Sequence, residues 1–126
     1  MEDSSKFRNT GLKRVVLAAN YSMHGLFAAF KNEAAFRQEV LMLVVLAPLA
    51  LFLSGDFVHR VLLIGSVLLV MMVELLNTGI EAAIDYQSKE IHPMAKLAKD
   101  LGSAAVFISL VNLAMVWGFY LWEYFA

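Results

Sequence analysis

The chain has 126 residues, 60% hydrophobic and only 17% charged, with a net charge of −1 and no cysteine. A soluble domain of this length could not hide so much apolar surface, so a bilayer is the expected solvent. The charge balance offers no bulk attraction to nucleic acid, and the lack of cysteine excludes disulfides, thiolate nucleophiles and cysteine–zinc sites.

The opening stretch MEDSSKFRNTGLKR lacks the apolar core of a signal peptide and is expected to stay in the mature protein. An amphipathic helix is expected over residues 6–31. Leu12, Val15, Val16, Ala19, Met23, Leu26, Phe27 and Phe30 recur at steps of three and four, while Lys13, Arg14, Asn20, His24 and Lys31 fall largely elsewhere. That pattern describes a helix lying in the headgroup plane.

Three charge-free runs follow, at 40–55, 61–73 and 101–122. The first two fall short of the ~20 residues that span a bilayer. Each reaches that length only if its helix continues through charged neighbours, so helices are expected at 34–53, 57–85 and 94–122. Pro48 marks a kink in the first. Ser54, Gly55 and Asp56 form the turn to the second, with Gly55 able to take positive φ and Asp56 able to cap the next helix. The connection YQSKEIHPMAKLAKD is longer and polar, and Pro93 suits the first turn of the last helix. With three spans, the N-terminus and this second loop share a side that holds nine of the ten Lys and Arg residues. The positive-inside rule makes that side cytoplasmic and the C-terminus external, where Trp117, Tyr120, Trp122 and Tyr124 suit an aromatic belt.

The segment VELLNTGIEAAID (73–85) sets Glu74, Asn77, Glu81 and Asp85 on one helical stripe. If the span enters at Phe57, Glu74 lies ~25 Å along a ~30 Å hydrocarbon core. Glu81 lies ~10 Å further, at or beyond the boundary. A carboxylate at bilayer depth is costly and calls for a function. Two turns separate Glu74 from Glu81, so one metal ion held by both is not expected. Glu81 needs a second ligand, and Glu33 and Glu39 are candidates. Magnesium held by one or two carboxylates and phosphate oxygens fits this supply of oxygens. Glu74, set deeper, is free to act as a base on a lipid hydroxyl, oriented by Asn77.

Plainer roles stand beside these. Glu33 with Arg37, and Lys96 with Asp100, match helix ion pairs. Asp85 matches a solvated helix end, and Asn112 an interhelical hydrogen bond. No glycine-rich nucleotide loop is present, and His24, His59 and His92 lack ligand spacing. The residues alone describe a small membrane protein with an acidic, metal-binding site at its inner interface. So few internal faces favour a homo-oligomer with sites between subunits.

NEAAFRQE (32–39), VELLNTGIEAAID and AKDLGSAAV (98–106) together resemble the prokaryotic diacylglycerol kinase family. The resemblance covers nearly the whole chain. It implies an all-α membrane homotrimer of the bacterial inner membrane, each protomer with three transmembrane helices and an N-terminal surface helix. It further implies phosphoryl transfer from MgATP to diacylglycerol, with active sites shared between protomers. On this resemblance Glu74 is the catalytic base with Asn77 beside it, and Glu33 and Glu81 bind the metal ions carrying ATP. Arg14, Tyr21, Glu90, Ile91, His92, Lys99 and Asp100 lie near the nucleotide. Lipid contacts fall to Arg14, Ala18, Ala19, Asn20, Tyr21, Ser22 and Met23 on the surface helix, to Ala35, Phe36, Arg37, Gln38 and Glu39, and to Glu74 and Ser103. Met23, His24 and Phe27 depart from the residues familiar at those positions and leave the acidic core untouched. The nearest alternative is a kinase of the same fold acting on undecaprenol. A more distant one is a non-catalytic transport or ion-binding subunit with Glu74 in a translocation path.

Overall fold

A computed structural model describes residues 11–87 and 92–126. Among these, four α-helices follow in order: α1 (Leu12–Asn32), α2 (Ala34–Leu53), α3 (Phe57–Gln87) and α4 (Pro93–Phe125). The last three are long and apolar enough to cross a membrane. The chain divides into two compact units, the first ending at Ala34 and the second beginning at Ala35.

The first unit carries α1. Gly11 precedes it with φ 69°, a left-handed conformation that glycine takes at little cost. The stretch before Gly11, where the helix was expected to start, lies outside the described residues. At the other end Glu33 turns to extended backbone (φ −116°, ψ 110°), its N–H still bonded to the Ala29 carbonyl at 2.8 Å. Glu33 therefore lies between helices, and the expected Glu33–Arg37 spacing does not fall on one helix.

In the second unit α3 and α4 pack along their length. Asp85 meets Lys99, Asn77 meets Gly102 and Leu63 meets Trp117, an order that makes the helices antiparallel. The buried residues of α3 are Leu63, Ser66, Val67, Val70, Glu74 and Asn77. Apart from the neighbours Ser66 and Val67, their steps of three and four place them on one face, so Glu74 and Asn77 continue the seam that packs the core. At the far end of that seam Ala50, Leu63 and Trp117 form the buried centre, walled by Leu46, Leu53, Ile64, Leu113, Val116, Tyr120 and Leu121. Buried Ser66 and Ser109 satisfy their hydroxyls locally, donating to the carbonyls of Leu63 (2.8 Å) and Val106 (2.7 Å).

The end of α2 poses a backbone problem, because the last carbonyls of a helix lack intrahelical partners. Arg60 answers part of it, with an Nη donating to Leu51 O at 3.0 Å, and its Nε donates to Ser54 O just beyond the helix at 2.6 Å. The Tyr120 hydroxyl donates to Leu53 O at 3.0 Å. The α2–α3 connection is tight, as expected. Asp56 caps α3 by accepting from the His59 N–H at 3.1 Å, and the Ser54 hydroxyl accepts from the Asp56 N–H at 3.1 Å. Gly55 does not use positive φ; these polar contacts hold the turn in ordinary backbone geometry. Helix α2 continues through Pro48. Helix α3 runs two residues beyond its expected end at Asp85, and α4 starts at Pro93 and reaches Phe125. The His92 imidazole caps α4, Nδ1 accepting from the Met94 N–H at 3.1 Å.

Candidate functional site

The α3 seam changes character after Val70. Glu74 is only 8% exposed and Asn77 only 9%, although burial of such groups is costly unless they are partnered. On α2, Phe36 and Glu39 are buried at i and i+3, so that helix presents a carboxylate inward as well. Glu39 and Glu74 lie within electrostatic reach of one another. Two buried carboxyl groups from consecutive helices thus feel one another electrostatically.

One turn beyond Glu74, the Asn77 side-chain amide donates through Nδ2 to Glu81 Oε1 at 3.1 Å. A carboxylate only accepts, so this bond fixes which end of the amide faces Glu81. Asn77 Oδ1 then points the other way, buried and without a hydrogen-bond partner; Glu39 Oε1 is in the same condition. The Oδ1 occupies the space where Gly102 of α4 has no side chain. Such orphaned acceptors are exceptional in folded chains.

Toward the loop, Lys99 Nζ bonds Asp85 Oδ1 at 2.6 Å, tying the end of α3 to the start of α4. Asp85 is exposed as expected of a helix end, and it is also half of this ion pair. Lys96 and Asp100 form the expected i,i+4 pair at 2.6 Å. His92 spends Nδ1 on its cap. Glu90 and Ile91 lie outside the described residues.

The other sequence candidates divide by exposure. Ala35, Arg37, Gln38 and Ser103 face outward. Arg14, Ala18, Ala19, Asn20, Tyr21, Ser22 and Met23 are exposed on α1. Glu33 is half-buried at the end of the first unit, and Glu81 belongs to the second. Among the described residues no three acidic or histidine side chains converge as a ready-made metal cage. A cation shared with phosphate oxygens needs fewer protein ligands than that.

Sequence reasoning did not find Gly102 or the Asp85–Lys99 link. A faint signal for the link existed in opposite charges flanking one helix–loop–helix connection. For Gly102 there was none beyond a small residue inside an apolar run.

Comparison with known proteins places this geometry in context. The family model described as prokaryotic diacylglycerol kinase matches residues 20–121. A diacylglycerol kinase of Escherichia coli is 47% identical over 116 residues, covering 92% of this chain and 95% of the relative. One from Pseudomonas aeruginosa is 51% identical over 108 residues, covering 86% and 88%. One from Haemophilus influenzae is 45% identical over 112 residues, covering 89% and 95%.

Proposed function

We infer the chemistry of this chain from its family: it belongs to the prokaryotic diacylglycerol kinases, and it is a membrane kinase that phosphorylates diacylglycerol to phosphatidic acid. The donor is ATP, and the reaction takes place at the cytoplasmic face of the bacterial inner membrane, where it feeds phospholipid metabolism. The distribution of Lys and Arg supports this sidedness.

Burial of Glu74 on the core seam of an apolar helix carries the reading. A lipid hydroxyl reaches that depth from within the bilayer, whereas ATP approaches from water. Glu74 accepts the hydroxyl proton as the hydroxyl oxygen attacks the γ-phosphorus, and the bond to the ADP oxygen breaks. Asn77 sits one turn away and orients the acidic stripe through its bond to Glu81. The buried face of α2, with Phe36 and Glu39, borders the glycerol end of the lipid, and Ala35, Arg37, Gln38 and Ser103 complete the lipid contacts. Along α1, exposed Arg14, Ala18, Ala19, Asn20, Tyr21, Ser22 and Met23 lie at the headgroup level.

The residues present fit a hard divalent cation. Glu81 is half-buried at the boundary, with one oxygen held by Asn77 and its other oxygen outside that bond. Glu33 and Glu81 would hold Mg²⁺ together with ATP. When bound, the ion neutralises charge on the phosphates during transfer. Arg14, Lys99 and Asp100, with Tyr21 and the 90–92 loop, frame the nucleotide. Positioning and charge neutralisation are what phosphoryl transfer chiefly requires. The three spans leave much of their apolar surface exposed, and a homotrimer with shared sites would cover part of it.

The test is transfer of radiolabel from ATP in detergent–lipid micelles containing Mg²⁺, with diacylglycerol and undecaprenol compared as acceptors. Label is expected in phosphatidic acid. The Glu74→Gln variant should lose about 10²–10⁴-fold in rate, the range for removing a general base. Label confined to undecaprenyl phosphate would keep the site and replace the substrate. No label in either lipid, from folded protein, would remove the kinase mechanism.

A further inference from the structure

We propose that Gly102 is a positioning residue for phosphoryl transfer: its missing side chain is the seat of the Asn77 amide, which in turn holds Glu81. The inference rests on the roles given above to Asn77 and Glu81.

A Cβ added at Gly102 would overlap Asn77 Oδ1. The same glycine is buried, and so is Asn77, so the amide has little room to move aside. Its other end is tethered, Nδ2 to Glu81 Oε1 at 3.1 Å. Something must yield when position 102 gains a methyl group, and the lightest thing that can yield is the amide. The cost then falls on the Asn77–Glu81 bond and not on the α3–α4 backbone. The fold survives and the acidic stripe loses its hold.

Other helical glycines supply the contrast. Gly65, Gly79 and Gly118 have nothing within 4 Å of an added Cβ. Alanine in such open helical positions is ordinarily favourable, because it removes backbone freedom from the unfolded chain. A loss at Gly102 therefore reports the seat, not the general effect of replacing glycine.

The experiment is a double-mutant cycle on the full chain in detergent–lipid micelles, with Gly102→Ala introduced into the parent and into Asn77→Ala. In the parent, Gly102→Ala is expected to lower kcat/KM for MgATP about tenfold, the scale of coupling between residues in contact. The change should appear in the KM for MgATP and leave the KM for diacylglycerol alone. With alanine at 77 the overlap is gone, and the same substitution should cost less than about twofold. Gly118→Ala should be silent. An equal loss in both backgrounds, no loss in the parent, or a change confined to the lipid KM would each overturn the proposal. Unfolding midpoints of the same four chains give a second readout, with Gly102→Ala lowering the midpoint only where Asn77 is present. An Asn77→Ala chain as active as the parent would sink the role given to Asn77; the midpoints would then decide on their own whether Gly102 seats it.

Discussion

Among the described residues, Asn77 Oδ1 and Glu39 Oε1 are buried side-chain oxygens without a hydrogen-bond partner. An unpaired buried acceptor forfeits about 1–3 kcal/mol. Exposed charges behave differently. The Asp85 and Lys99 side chains are 65% and 41% exposed, and an ion pair so open to water adds little stability despite its 2.6 Å contact. Asp85→Asn is therefore expected to shift unfolding by less than about 1 kcal/mol. If Lys99 frames the nucleotide as proposed, Lys99→Met should raise the KM for ATP, and Asp85→Asn should raise it less. Equilibrium unfolding in micelles and initial rates at varied ATP would check both. Equal changes in the KM would show that the pair acts as a unit.

At the scale of elements, the C-terminal end of α2 depends on side chains from its neighbours. Arg60 from α3 and Tyr120 from α4 donate to the carbonyls of Leu51, Leu53 and Ser54. Arg60→Ala leaves two of those carbonyls without their donor and should cost about 1–3 kcal/mol. A lowered unfolding midpoint with unchanged activity per folded molecule would confirm the cap; loss of activity at full stability would refute it. Much of this element map was legible in the chain. Apolar runs, the Asp56 cap and Pro93 at the start of α4 act through local chemistry, so they leave local traces. The stripe of Glu74, Asn77 and Glu81 was legible because helical periodicity alone brings those side chains to one face. The seat at Gly102, the link from Asp85 to Lys99 and the approach of Glu39 to Glu74 join separate helices. Such pairings depend on the rotation and depth at which helices meet, and no local pattern records that.

For the whole molecule, the absence of native cysteine lets single introduced cysteines report on sidedness and assembly. A single cysteine at Ala126 should react with an impermeant maleimide in intact cells, while one at Ser5 should react only after permeabilisation. The reverse pattern would invert the proposed topology. Cross-linking in native membranes should end at three copies. One further property follows from α3, whose single buried face is apolar core from Leu63 to Val70 and carries the proposed site from Glu74 to Asn77. Packing at one end thus sets the helical phase of chemistry at the other. Each residue inserted between the two stretches would rotate them by ~100°, turning the carboxylates from the protein seam toward lipid tails. Four inserted residues would restore the angle to within ~40° but shift the depth by ~6 Å. Phase and depth cannot both be kept through a change of length, so the spacing from Val70 to Glu74 is a fixed dimension of this helix.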